Sequence, residues 1–134
     1  MSHESLQQRS KRILAKLKRD YPGKAAYDTD GRGQHFVCEV EPTQDHPEYD
    51  KAIVVIFKTK AHKHNKIVQR YTILSGNLTV HLDDKTITLK PGDTYTIQPG
   101  IVHWAESDEC WLEEYSTPGW TKDDHILVGE KDPA

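Results

Sequence analysis

The chain has 134 residues, 35% apolar and 29% charged, with 18 Lys plus Arg against 21 Asp plus Glu for a formal charge of −3. That length supports one core and one domain, and the acidic balance argues against nucleic acid or a membrane surface as the principal partner, which leaves a small molecule. The longest apolar run, Ala52 to Phe57, falls far short of the roughly 20 residues that cross a bilayer, and the polar N-terminus carries no signal-peptide apolar segment, so a soluble, cytoplasmic protein is expected.

From Ser5 to Tyr21 the apolar residues Leu6, Ile13, Leu14 and Leu17 recur at helical spacing, Lys and Arg fill the remaining positions, and Tyr21-Pro22-Gly23 stops the run. This predicts an amphipathic helix that packs on its own domain or on a sister subunit. Asp28-Thr29-Asp30-Gly31-Arg32-Gly33 reads as a turn cluster, and the segment from Glu41 to Asp50, with two prolines, as a loop. The expected organisation is a helix and turn over 1–33, a β-domain over 34–128, and a frayed tail over 129–134.

After Gly33 the pattern changes to short runs of β-formers: His35 to Val40, Ala52 to Thr59, Ile67 to Leu74, Leu78 to Leu82, Thr86 to Leu89, Tyr95 to Ile97, Val102 to Glu106, and Trp111 to Ser116. Ser75-Gly76-Asn77, Asp83-Asp84 and Lys90-Pro91-Gly92-Asp93 supply turns between them. The predicted class is therefore all-β, a sandwich or barrel, with no interposed helices that would build a parallel sheet. The apolar stripe of the helix and that of the strand around Val37 exceed what a barrel of this size covers alone, so a homodimer is expected. The two cysteines, Cys38 and Cys110, read as buried thiols.

Eight histidines in so short a chain is an excess, and imidazole is both the commonest metal ligand and a proton-transfer group near neutral pH. His62 and His64 stand two apart, which on a strand puts both rings on one face; Gln69 and Tyr71 repeat that spacing. His62-x-His64, four residues, Gln69, six residues, Gly76 resembles the first motif of the cupin superfamily, with Gln where that family usually has Glu. Gly92, five residues, then Gln98-Pro99-Gly100-Ile101-Val102-His103 resembles the second, with Gln98 in place of the usual proline. The resemblance spans Ala52 to Ser116 and implies a double-stranded β-helix, or jelly-roll, barrel with its site in the mouth. It also implies His62, His64, Gln69 and His103 as ligands of a divalent transition metal. Three imidazoles and an amide oxygen suit Mn, Fe, Co, Ni or Zn, and leave positions open for a ligand.

Gln69 is the informative departure, because an amide leaves the ion's full charge to act on whatever binds it, and any general base must come from elsewhere in the barrel. Lys58 shares the face of His62 and His64 if its strand runs unbroken, and points outward if a bulge falls near Ala61. Tyr71 shares the face of Gln69. Glu113 and Tyr115 share one face of the last strand, but Leu112 on the other face is an equally good core residue, so which face is inside stays open. These give Tyr71, Lys58 and Glu113 as catalytic candidates. Trp104 is expected to wall the mouth or the core behind it, and His81 to pack or face solvent; His3, His35, His46 and His125 fit no ligand spacing. Pro118-Gly119-Trp120 followed by Asp123-Asp124-His125-Ile126 resembles, briefly, the tail after the cupin domain of mannose-type sugar-phosphate isomerases. The family resemblance implies an isomerase or lyase working through a metal-stabilised enediolate of a small sugar-like or hydroxy-carbonyl compound. Its alternatives are a dioxygenase of a small diketone or enol, and a metabolite-binding protein without catalysis.

Overall fold

The structure is a computed structural model that describes residues 4–128. The expected frayed tail and His3 lie outside the described residues. Helix α1 runs over Leu6–Asp20, followed by β1 (Ala26–Asp28), β2 (His35–Glu41), β3 (Asp50–Lys58), β4 (His62–Lys63) and β5 (Val68–Ser75). Then come β6 (Leu78–His81), β7 (Thr86–Leu89), β8 (Thr94–Ile97), the long β9 (Trp104–Thr117), a short 3-10 turn at Lys122–Asp124, and β10 (Ile126–Leu127).

The antiparallel sheet follows the order β1-β2-β3-β9-β5-β8, with the β6–β7 hairpin attached to the first part of β9, and β10 pairs β4 in a small second sheet. Together they form a jelly-roll β-barrel carrying one N-terminal helix. The two runs expected at Val102 to Glu106 and Trp111 to Ser116 are one strand. Its early residues pair β6, its later ones pair β3 and β5, and the register shifts where Ile56 opposes Cys110 while Lys58 opposes Glu106. Gly76 closes the β5–β6 turn at φ 78°, and a Cβ there would run into the Glu109 carbonyl oxygen, so both the backbone angle and the close approach require glycine.

Strand alternation divides the apolar residues into two cores. Val54, Ile56, Tyr71, Ile73, Leu78, Val80, Leu112 and their neighbours fill the barrel. Phe36, Cys38, Ile53, Val55, Phe57 and Trp111 point to the outer face, where Ile13 and Leu17 of α1 cover them. This is why Ala52 to Phe57 reads as a continuous apolar run: β3 is buried on both faces. The helix and the outer face of β2 cover each other within one chain, which removes the packing ground on which a homodimer was expected.

Helix α1 begins with a reciprocal cap: the Gln8 amide N–H donates to Ser5 Oγ at 3.0 Å, and the Ser5 N–H donates to Gln8 Oε1 at 2.8 Å. Some of its basic side chains fold back onto the barrel. The Arg9 guanidinium lies 3.7 Å from the Phe57 ring centroid, and Arg12 bridges Glu4 and Glu109. Ser5→Ala is expected to lower stability by about 1 kcal/mol, read as a denaturation midpoint shifted without a change in slope. An unchanged midpoint would mean that packing alone holds the first turn.

Candidate metal centre

His62 and His103 come from segments far apart in sequence that the backbone ties together. The His62 N–H donates to the His103 carbonyl at 3.0 Å and the His103 N–H to the His62 carbonyl at 2.9 Å. The pair places both imidazoles on one side, with ring centroids 4.2 Å apart. His64, two residues on, brings its ring within 5.1 Å of His62 and 5.6 Å of His103. Gln69 on β5, opposite Ile97 of β8 and Ser116 of β9, faces the same space. All but His103 line a cavity of about 510 Å³ at the barrel mouth.

Each of the three rings has its Nδ1 on a backbone carbonyl: His62 on Lys60 at 2.8 Å, His64 on Asp124 at 2.7 Å and His103 on Ile101 at 2.9 Å. A carbonyl only accepts, so each Nδ1 carries the hydrogen and each Nε2 keeps its lone pair, the tautomer and orientation that a metal ligand needs. His64 Nε2 and His103 Nε2 are buried without a partner. Gln69 is held likewise. Its amide nitrogen donates to Glu114 Oε1 at 3.3 Å and Ser116 Oγ at 3.4 Å, which leaves Oε1 buried and unpartnered. Buried acceptors without donors are costly, and a divalent transition ion is the group that this donor set fits.

Electrostatics agrees with neutral imidazoles. Burial, then the neighbouring His103 and His125, holds His62 well below the usual imidazole range, and burial takes His103 down to about 4. His64 is lowered by burial, though its bond to Asp124 works the other way.

The remaining candidates divide. Tyr71 is buried, lines the cavity and stands opposite Glu114; burial drives its hydroxyl far above the usual range. Lys58 lines the cavity as well, with its ammonium 6.0 Å from the Trp104 ring centroid. Glu113 does not line the cavity, which corrects the expectation that put it among the catalytic candidates. It opposes Thr72 and Ile53, on the face of Trp111 that packs under the helix. Its neighbour Glu114 is the inward carboxyl, and burial with Asp50 nearby pushes it up to about 8. Trp104 is likewise not a wall of the cavity. It stacks on His81 at 3.9 Å, while the other side of that histidine meets Glu106 Oε2 at 2.6 Å.

Two histidines that fit no ligand spacing line the cavity too, His35 and His125. His125 stacks on His62 at 4.4 Å, and ring nitrogens of His62, His64 and His125 lie within 4.8 Å of one another. The C-terminal segment brings it there, latched by Asp124, whose carboxylate accepts from the amides of Asn65, Lys66 and Ile67 at 2.8, 3.0 and 3.0 Å. Burial opposes ionisation of Asp124, but those three bonds outweigh it and hold the carboxyl below its usual range. The one sequence signal for this segment was the short tail resemblance over Asp123 to Ile126.

Residues 38–109 match the family model described as Cupin domain. No curated protein is a significant sequence match. Among solved structures, KdgF from Halomonas sp. shares 21% identity over 75% of this chain and 91% of its own, with a TM-score of 0.60. Pac13 of Streptomyces, a nucleoside dehydratase, shares 12% over 85% of this chain and 95% of its own, with a TM-score of 0.66. Oxalate decarboxylase of Bacillus subtilis shares 11% over 81% of this chain but only 31% of its own, with a TM-score of 0.68. At these identities the likeness is one of fold.

Proposed function

The chain belongs to the cupin family, and from that premise we propose that it is a metal-dependent enzyme of isomerase or lyase type acting on a small hydroxy-carbonyl substrate. The observation that carries this reading is the set of buried acceptor atoms without donors, His64 Nε2, His103 Nε2 and Gln69 Oε1, gathered beside His62. His62, His64, Gln69 and His103 would hold the ion. When bound, a divalent metal supplies positive charge to substrate oxygens, undiminished by a ligand carboxylate.

The chain's own groups supply the rest. The cavity orients a substrate between the imidazoles and the wall of Tyr71, Gln69 and Glu114. Tyr71 can donate its hydroxyl hydrogen to a substrate oxygen, Glu114 stands across the strand pair from it as the carboxyl placed to move a proton, and Lys58 can meet an anionic group. Apolar neighbours such as Val37 and Ala52 keep water from one side of the cavity.

The test loads metal-free protein with Mn, Fe(II), Co, Ni or Zn in turn. Stoichiometry is measured, and turnover of hydroxy-carbonyl compounds is screened with and without oxygen. One ion per chain with oxygen-independent turnover is expected, and turnover that requires oxygen would replace this reading with a dioxygenase.

Gln69→Glu is expected to keep the metal and weaken oxalate binding about tenfold, since a carboxylate beside the ion cancels one unit of its charge, a change worth about 1–3 kcal/mol in a partly wet mouth. Burial and Asp50 push the Glu114 carboxyl up toward its protonated form, the form that can donate to the new carboxylate, so the variant should fold. Calorimetry at matched metal occupancy reads the effect, and equal affinities would mean that the amide does not set the charge of the site.

A further inference from the structure

Among the described residues, the buried side-chain polar atoms without partners are Arg9 Nε, His35 Nε2, His64 Nε2, Gln69 Oε1 and His103 Nε2. The last three belong to the metal set, and Arg9 lies against Phe57 under the helix. His35 Nε2 is left over. Strand alternation sends this ring inward, because His35 opposes Ile56 of the barrel core, and it lines the same cavity as the metal set. Its other nitrogen meets Thr29 Oγ1 at 3.4 Å. A hydroxyl can donate or accept there, so His35 Nε2 can offer a lone pair or a hydrogen, and a ligand hydroxyl satisfies it in either state.

His125 differs from the ligand histidines in one respect that decides its role. The Trp120 indole N–H donates to His125 Nδ1 at 3.3 Å. An indole only donates, so Nδ1 of the neutral ring is the acceptor and Nε2 carries the hydrogen. This is the reverse of His62, His64 and His103. With one nitrogen occupied and the other protonated, His125 has no lone pair free for a metal, close as it is to His62 and His64. It presents an N–H to the cavity and calls for an oxygen.

We propose that His35 and His125 form a second binding subsite beside the metal ligands, which takes an oxygen of a small polyhydroxylated acid whose carboxylate end lies on the metal. The inference rests on the metal-site reading above and adds to it the class of substrate. A cavity of about 510 Å³ has room for such a molecule, well beyond what a two-carbon acid fills. The end on the metal is anionic because Gln69 leaves the ion's charge whole. The far end is hydroxylated because His35 accepts either hydrogen-bond role and His125 donates.

The test compares oxalate, which spans only the metal positions, with tartrate and gluconate, which reach further, in metal-loaded wild-type protein, His35→Leu and His125→Phe. Phenylalanine keeps the stack on His62 and removes the hydrogen bond. Tartrate or gluconate should bind the wild type at least about tenfold more tightly than oxalate, and each variant should lose about tenfold for the longer acid while metal and oxalate affinities stay within about twofold. Either variant alone suffices if the other fails to fold. Nitrogen-15 shifts in the metal-free protein should show His125 protonated at Nε2. Loss of metal affinity in His125→Phe would make His125 a ligand and overturn the subsite, as would longer acids that bind no better than oxalate, or an Nδ1-protonated His125. A wild type that binds no metal would overturn the functional reading itself, and it shows in the first titration, before any variant is made.

Discussion

Alanine in place of His62, His64 and His103 together is expected to abolish stoichiometric metal binding, and each single replacement to weaken it by more than about 100-fold. The three rings are fixed before any ion arrives. Their Nδ1 hydrogens are committed to the carbonyls of Lys60, Asp124 and Ile101, and two of the three are joined through a reciprocal backbone pair. The ion then gains ligands that lose little freedom on binding, and this advantage disappears when one is truncated. Gln69→Ala should cost less, because water can replace an amide oxygen. A thermal scan gives an independent reading. A ligand that binds only the folded state stabilises it by about 4 kcal/mol at a thousandfold excess over its dissociation constant, so added metal should raise the wild-type midpoint and leave the triple variant where it was. An unchanged metal content in the triple variant would remove the site altogether.

Asp124→Ala is expected to cost about 3 kcal/mol of stability, from the loss of three charge-assisted bonds at a buried carboxylate. Its metal affinity should also fall about tenfold, because the carbonyl of the same residue orients His64. Asp124→Asn, which keeps the shape and one acceptor oxygen, should fall between. The pH dependence follows from the direction of the shift. A carboxyl held below its unfolded value contributes fully above that value and loses its contribution as pH falls through the lower, folded one, so the difference between wild type and Asp124→Ala should be constant at neutral pH and shrink below about pH 4. Denaturation at pH 7 and pH 3 checks both points. Equal stability of the two proteins at pH 7 would show that the C-terminal segment is not latched through this side chain.

How much of this could be read beforehand depended on the range of the interaction responsible. Helix α1, the β6–β7 hairpin at Asp83-Asp84 and the turns at Gly76 and Gly92 are set by nearby residues and stand where the sequence puts them. His62, His64, Gln69 and His103 carry their spacing in the chain, and the structure gathers them. Glu114 was missed in favour of Glu113 because β9 is covered on both faces, which erases the alternation that would have shown the inward side. His125 was missed because it stands on no ligand spacing; only the latch at Asp124 and the short pairing of β10 with β4 carry it to His62. β1, β4 and β10 are too short to leave a periodic trace, and the polar Ser107-Asp108-Glu109 looked like a break where β9 only bulges.

Strand β2 is a single layer with the helix on one side and the cavity on the other: His35, Val37 and Glu39 alternate with Phe36 and Cys38. Any change of volume beneath α1 therefore moves the backbone that carries the cavity wall, by way of the residue next door. Directed evolution of this barrel toward a new ligand would find useful variation at Phe36 and Cys38 as well as among the residues that touch the ligand. Such gains would look remote in a contact map and be adjacent along the chain.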